Sequence, residues 1–213
     1  MPRRSYAQYC AIARALDTVG DRWTLLIARE LLAGPRRYTD LHADLPGVST
    51  DMLASRLKDL ERDGILTRRR LSPPASASVY ELTPRGRALL PVLSALADWG
   101  ADGLAERRPT DAVRAHWFAV PLMLRLRAPL ATRAGVVEVR LPEGVFHLRF
   151  AADTEPTYGD GPAERADAAL ALDGEVCAEL ARDAMTVAEA VASGAVRVSG
   201  EGAVADTLRG DGA

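Results

Sequence analysis

Arg36-Arg37-Tyr38-Thr39-Asp40-Leu41, then Leu45-Pro46-Gly47-Val48-Ser49, then Asp63-Gly64-Ile65-Leu66-Thr67-Arg68-Arg69-Arg70 and Val79-Tyr80-Glu81-Leu82-Thr83-Pro84 are the pieces whose order decides the fold. A short helix begins near Tyr38 and is stopped by Pro46-Gly47. Ser49 is a good N-cap, and Asp51 sits in the first turn of the next helix, beside its positive dipole end. Met52, Leu53, Leu57 and Leu60 form a core stripe on that helix, while Thr50, Ser55, Arg56 and Asp59 face elsewhere. Gly64 ends it. Ile65–Arg70 and Val79–Leu82 read as paired strands. Between them, Ser72-Pro73-Pro74-Ala75-Ser76-Ala77-Ser78 cannot sustain a ladder and predicts an exposed loop.

A short helix, a tight turn, a longer helix and a hairpin with a basic root predict a winged helix-turn-helix, mainly α with a β-hairpin wing. That shape places its second helix in a DNA major groove. Upstream, Ile12, Leu16 and Val19 share one helical face. Asp21 reads as the cap of a helix carrying Trp23, Leu26, Ile27, Glu30 and Leu31, which Gly34-Pro35 stops. Downstream, Thr83 caps and Pro84 opens a helix running to Asp102, with Leu89, Leu90, Val92, Leu93, Leu96 and Trp99. So wide an apolar face calls for a partner subunit, and a homodimer is expected.

The hydrophobic period changes after Arg108. A helix is expected over roughly Asp111–Arg125. Val136–Leu141 and Val145–Phe150 then alternate as strands around a tight Pro142-Glu143-Gly144 turn. Ala168–Leu172 reads as a strand, Glu175–Arg182 and Thr186–Ser193 as helices, Ala195–Ser199 as a strand, and a last helix reaches Leu208. The fold class expected is α+β: a winged helix-turn-helix over 1–108, for DNA binding and dimerisation, and a C-terminal α+β ligand-binding-like domain over 109–213.

Composition fits that division. The 213-residue chain has a net charge of −2, but residues 1–108 carry 17 Arg/Lys and 13 Asp/Glu, and the remainder 10 and 16. A half at +4 and a half at −6 suit a polyanion for the first and not for the second. The longest apolar run, Trp117–Leu124, is far short of a bilayer span, so no membrane is expected. No apolar segment follows Met1–Ser5, which predicts a cytoplasmic protein. Cys10 and Cys177 make neither a C-x-x-C pair nor a disulfide framework.

DNA recognition requires cations for phosphates and side chains that reach base edges. Ser49, Thr50, Ser55, Arg56 and Lys58 are offered by the recognition helix; Arg56 suits either a guanine edge or a phosphate. Arg36, Arg37, Arg68, Arg70 and the loop residue Ser76 are expected at the phosphates of double-stranded DNA, with Arg69 on the opposite face of its strand from Arg68 and Arg70. Catalytic constellations are scarce. His42, His116 and His147 lack metal spacing, and Ser55-Arg56-Leu57-Lys58 matches S-x-x-K without its companion motifs. No enzyme, metal site or cofactor is expected. Trp117, Phe118, Met123, Phe146, Phe150, Tyr158 and Met185 suit an apolar effector pocket or, equally, ordinary core.

The first hundred residues resemble the HxlR-type winged-helix regulators, relatives of the MarR group. The resemblance is carried by Val19-Gly20-Asp21-Arg22-Trp23-Thr24-Leu25-Leu26-Ile27, Gly34-Pro35-Arg36-Arg37-Tyr38, Leu45-Pro46-Gly47-Val48-Ser49, Leu60-Glu61-Arg62-Asp63-Gly64 and Tyr80-Glu81-Leu82-Thr83. A Cys-Pro usual near the family's start is Cys10-Ala11 here. Residues from about 110 onward resemble the sterol carrier protein type 2-like fold, through Ala168–Leu172 and Met185–Gly200. Together these imply a ligand-responsive repressor that binds an inverted repeat as a homodimer, with a small hydrophobic effector. The alternative is a lipid or metabolite carrier whose winged helix serves protein contacts. In the resembled family some members sense oxidants through a cysteine at the place of Cys10; here it is either such a redox thiol or an inert one.

Overall fold

The computed structural model describes residues 5–72, 77–152 and 154–210. The chain divides into two compact units, Met1–Pro91 and Val92–Ala213.

The first unit begins with α1 (Ala11–Val19) and α2 (Thr24–Leu32), then β1 (Arg36–Arg37), α3 (Tyr38–Ala43) and α4 (Thr50–Arg62), the hairpin β2 (Leu66–Arg70) and β3 (Ser78–Leu82), and the single turn α5 (Pro84–Arg87). Asp21 does not cap α2. Its carboxylate accepts from Trp23 N at 2.9 Å, a side-chain turn that postpones the helix to Thr24. Ser49 does cap α4, accepting from Met52 N at 3.3 Å. At its other end Gly64, at φ +67°, closes a Schellman motif: Ile65 N donates to Leu60 O and Gly64 N to Glu61 O. Leu53, Leu57 and Leu60 of α4 pack with Ile27, Leu31, Leu41, Leu45, Leu66 and Leu82. Each such leucine contributes about 1.5–3 kcal/mol by leaving water. Met52, expected in the stripe, is 41 % exposed; its position lies a quarter-turn outside the 53/57/60 line.

The wing sheet has three strands rather than two, in the order β1-β3-β2. Two residues are too few to leave a period-2 signal, so β1 was invisible to pattern; Arg36 pairs with Tyr80 and Arg37 with Val79. The wing loop residues 73–76, including Ser76, lie outside the described residues.

One tight joint connects these pieces. Thr83 N donates to Ile65 O at 3.0 Å, and its hydroxyl donates to Gly64 O at 2.6 Å while accepting from Gly86 N at 3.2 Å. A Cβ on Gly86 would stand 2.1 Å from Ile65 O, so only glycine fits. The expected single helix over Pro84–Asp102 is broken into α5, α6 (Leu90–Gly100) and a 3-10 turn at Ala101–Ala105. Pro91 explains the first break, because its ring would clash with the carbonyl of Arg87 in a continuous helix.

Past α6, the second unit holds a 3-10 turn (Ala115–Phe118), α7 (Ala119–Arg127), β4 (Gly135–Leu141), β5 (Gly144–Phe150), β6 (Thr157–Asp160), β7 (Ala168–Ala171), α8 (Gly174–Ala181), α9 (Val187–Ala192), β8 (Arg197–Ser199) and α10 (Ala203–Arg209). The helix expected from Asp111 starts only at Ala119, which leaves Pro121 in the first turn, where its missing N–H costs nothing. The sheet order is β6-β5-β4-β7-β8, with β4 and β7 parallel and the other pairs antiparallel. Strand β6 went unread, since Thr-Tyr-Gly-Asp carries no apolar alternation. Val137, Val139, Phe146, Leu148, Phe150 and Leu170 bury one face of this sheet. Glu138 and His147 lie opposite each other on the other face. Burial pushes the Glu138 carboxyl up, but the hydrogen bond from Arg140 Nε at 2.7 Å, the Ala163 amide at 3.0 Å and the charges of Arg140 and His147 outweigh it and hold the group below its usual range.

Two outcomes are expected. Gly86→Ala should destabilise the winged-helix unit by about 1–3 kcal/mol, as overpacking against backbone does; urea unfolding that matched the wild type would contradict the joint. A carboxylate with a depressed folded pKa stabilises above its unfolded pKa and loses that contribution as pH falls through the folded value. Glu138→Gln should therefore melt lower than wild type at neutral pH, with the difference closing in acid below the normal carboxylate range. An equal difference at both would mean the ion pair is not its source.

Candidate DNA interface

By helical spacing, Asp51, Ser55, Lys58 and Arg62 form the ridge of α4 opposite its buried stripe, and all are exposed. Ser49 and Thr50 at the helix start, and Ala54, are also exposed. Tyr38 fixes the ridge's start: its hydroxyl donates to Thr50 O at 2.8 Å, and its ring stacks on His42 at 6.3 Å between centroids. Among sequence-expected residues, Ser55 and Lys58 lie on the ridge itself, and Ser49 and Thr50 at its N-terminal edge.

Arg56 lies beside the buried stripe rather than on the ridge. Its guanidinium pairs with Asp59 at 2.9 Å and reaches Asp21 at 3.8 Å. Asp59 also takes Arg62 at 2.8 Å. Arg56 thus ties α4 to the segment ahead of α2, and contact with a base would require it to exchange two carboxylates for that edge. Asp51 and Arg62 were not singled out from sequence. Asp51 reads only as a dipole partner; the buried line is what fixes which way the ridge points.

In the wing, Arg68 and Arg70 are exposed, and Arg68 lies over the Tyr80 ring at 6.0 Å. Arg69 turns to Glu81, making a paired contact at 3.1–3.2 Å. Arg37 is exposed and Arg36 half-buried on β1, which runs along β3. Lys58, Arg68, Arg70 and Arg37 have no ion-pair partner among the described residues. A cation without an acid beside it is what a phosphate contact requires. A protruding helix flanked by a cationic strand pair is the geometry of major-groove docking.

The HxlR-like helix-turn-helix family profile matches residues 18–108. The HTH-type transcriptional regulator YvaP of Bacillus subtilis is 35% identical over 89 residues, covering 42% of this chain and 82% of YvaP. The chain belongs to the HxlR-like helix-turn-helix family. The HTH-type transcriptional regulator YodB of B. subtilis is 37% identical over 99 residues, 46% of this chain and 86% of YodB. The solved structure of reduced YodB shares 34% identity, covers 49% of this chain and 100% of that one, and superposes with a TM-score of 0.40. As a member of the HxlR-like family, the protein is a DNA-binding transcriptional regulator. These likenesses cover the N-terminal half and leave the second unit to be read from its own residues.

There, Met123, Phe146, Phe150 and Tyr158 are buried, while Trp117, Phe118 and Met185 are half-buried. Arg114 lies over the Trp117 ring at 5.9 Å. Phe146 and Phe150 share the apolar face of β5 with Leu148. Cys10, at the head of α1, is exposed, and Cys177 is buried; burial, with Asp173 and Glu143 adding to it, pushes the Cys177 thiol far up, so it is no nucleophile. No helix among the described residues is long and apolar enough to cross a membrane.

Lys58→Ala should weaken DNA binding about equally across sequences and reduce the salt slope by about one. Arg56→Ala should instead lower the melting temperature while leaving that slope unchanged. Fluorescence anisotropy at several salt concentrations separates the two. A lost base preference with unaltered melting in Arg56→Ala would return Arg56 to the bases.

Proposed function

We propose that the protein is a ligand-responsive repressor that binds an inverted-repeat operator as a homodimer. The observation that carries it is the exposed α4 ridge with Lys58, beside a wing root whose Arg68 and Arg70 are free of acids. Ridge residue Ser55, with Ser49, Thr50 and Asp51 at the helix start, would approach the bases. Lys58, Arg36, Arg37, Arg68, Arg70 and the wing-loop Ser76 would hold the phosphates. Arg56 orients the helix.

Dimerisation is supported by apolar side chains that the protomer leaves in water. On α1, Ile12 is 71 % and Leu16 44 % exposed on one face, with Tyr9 just ahead of them. On α6, Val92, Leu96 and Trp99 recur at i, i+4, i+7 and are 48 %, 46 % and 84 % exposed. Two such stripes outside any core mark an interface, and a two-fold dimer would set its half-sites one DNA turn apart, about 10–10.5 bp, or a multiple.

For the division of labour we propose 1–108 as the DNA-binding and dimerising domain and 109–213 as a sterol-carrier-like effector domain for a small hydrophobic molecule. The sheet β6-β5-β4-β7-β8, apolar on the face that carries Phe146 and Phe150, supports this reading. Met123 and Tyr158, with the half-buried Trp117, Phe118 and Met185, would line the effector's path. Effector and operator would then alter each other's affinity by the same factor. A cytoplasmic location and the absence of a catalytic role accord with this reading. Exposure of Cys10 also suits a thiol sensor; the solved HypR is called a redox regulator.

The test is a titration of the full chain against DNA upstream of its own gene at low and moderate salt. Steeply salt-dependent, sequence-selective binding by a dimer is expected. Binding that ignores salt, or none, would favour a winged helix used for protein contacts.

A further inference from the structure

Asp51 is the acid of the α4 ridge. It stands in the first turn of the helix, is exposed, and makes no hydrogen bond or ion pair among the described residues. Asp59, further along the same helix, differs: Arg56 holds it at 2.9 Å and Arg62 at 2.8 Å. Lys58, the open cation of the ridge, starts roughly 10 Å from Asp51 along the axis, at about 1.5 Å per residue. The backbone beneath Asp51 is fixed on both sides. Ser49 Oγ accepts from Met52 N at 3.3 Å, and the Tyr38 hydroxyl donates to Thr50 O at 2.8 Å.

We propose that Asp51 is a specificity-determining residue that selects a cytosine in each half of the operator, an inference that rests on the reading in which the α4 ridge enters the major groove. A bare carboxylate between two phosphate walls is repelled by both and gives up its water. Only a base edge that donates a hydrogen bond offsets that cost. Two bases donate in the major groove: cytosine through N4 and adenine through N6. Adenine sets the N7 acceptor beside its amino group, so a lone pair faces the second carboxylate oxygen; cytosine sets a C–H there. Guanine offers the acceptors N7 and O6, and thymine offers O4 and a methyl group. The order of preference is therefore cytosine, then adenine, then guanine and thymine.

Position supports the same assignment. Residues at the start of a recognition helix are the ones that reach base edges. Ser55, one turn further along the ridge, carries a hydroxyl that both donates and accepts and so tolerates any base. Asp51 accepts only, and it rejects guanine and thymine as well as attracting cytosine. Its charge also lies beside the positive end of α4 whether or not DNA is present. A two-fold dimer presents Asp51 twice, so the selected cytosine recurs at mirrored positions, one in each half-site.

The experiment is affinity selection of the full chain on duplexes randomised within the DNA upstream of its own gene, read by sequencing, for wild type, Asp51→Asn and Asp51→Ala. Wild type should prefer cytosine at one position of each half-site, by about tenfold or more over guanine or thymine, the worth of one good base contact. Asp51→Asn should move that preference to adenine, whose N6 and N7 suit an amide. Asp51→Ala should flatten it and leave the preferences at other positions as they are. N4-methylcytosine at that position replaces the groove-facing N–H with a methyl group. It should weaken wild-type binding by a similar factor, a result that depends on no variant folding. A selected profile that is the same in all three proteins would overturn the assignment and leave Asp51 to the helix dipole. Tighter binding of both variants to every sequence alike would overturn it too, marking a repulsive charge rather than a reader. A wild type that selects no sequence at all sinks the groove reading itself, a result distinct from either of these.

Discussion

Everything this winged helix presents to a nucleic acid depends on one contact: the backbone of Gly64-Ile65 held against Thr83 and Gly86. The Schellman turn at Gly64 ends the recognition helix and releases the chain directly into β2. Thr83, at the far end of β3, returns to the same two carbonyls. Recognition helix, wing and the following turn are thereby fixed to a single backbone knot. Its closeness permits no side chain at position 86. The helix and the wing must then approach a duplex as one body, which sets the spacing between base-reading and phosphate-holding groups without any contact between them.

Charge acts on that frame selectively. The N-terminal 108 residues hold an excess of four cations, yet several arginines are committed to acids inside the protomer. Arg56 and Arg62 share Asp59, and Arg69 lies against Glu81. Lys58, Arg37, Arg68 and Arg70 are among those left without an acid among the described residues, so the Arg-Arg-Arg run supplies two open cations rather than three. Net charge marks the half that faces a polyanion; ion pairing decides which of its cations take part.

The helices of the first unit were legible because their caps and breakers are local. Ser49, Gly64 and Thr83-Pro84 act through bonds two to five residues away, and each did what its chemistry implies. Alternating strands at Val136–Leu141 and Val145–Phe150 were legible for the same reason. What pattern missed was set by distant partners or by single residues. β1 and β6 exist as strands only because β3 and β5 pair with them. Pro91 breaks a helix that its apolar neighbours would continue. The ionic ties of Arg56 to Asp21 and Asp59 set it beside the buried stripe, and the 35-residue separation from Asp21 hides one of them from any local reading. The candidate ridge emerged only once the buried line of α4 had fixed its azimuth.

Hydroxyl-radical footprinting of the full chain on DNA upstream of its own gene probes the central claim most directly. Two protected patches on one face of the duplex, centred about one helical turn or a whole multiple apart, are predicted, each flanked by wing-protected sugars. A single patch, or uniform protection without a phase, would contradict a paired recognition helix braced by its wing.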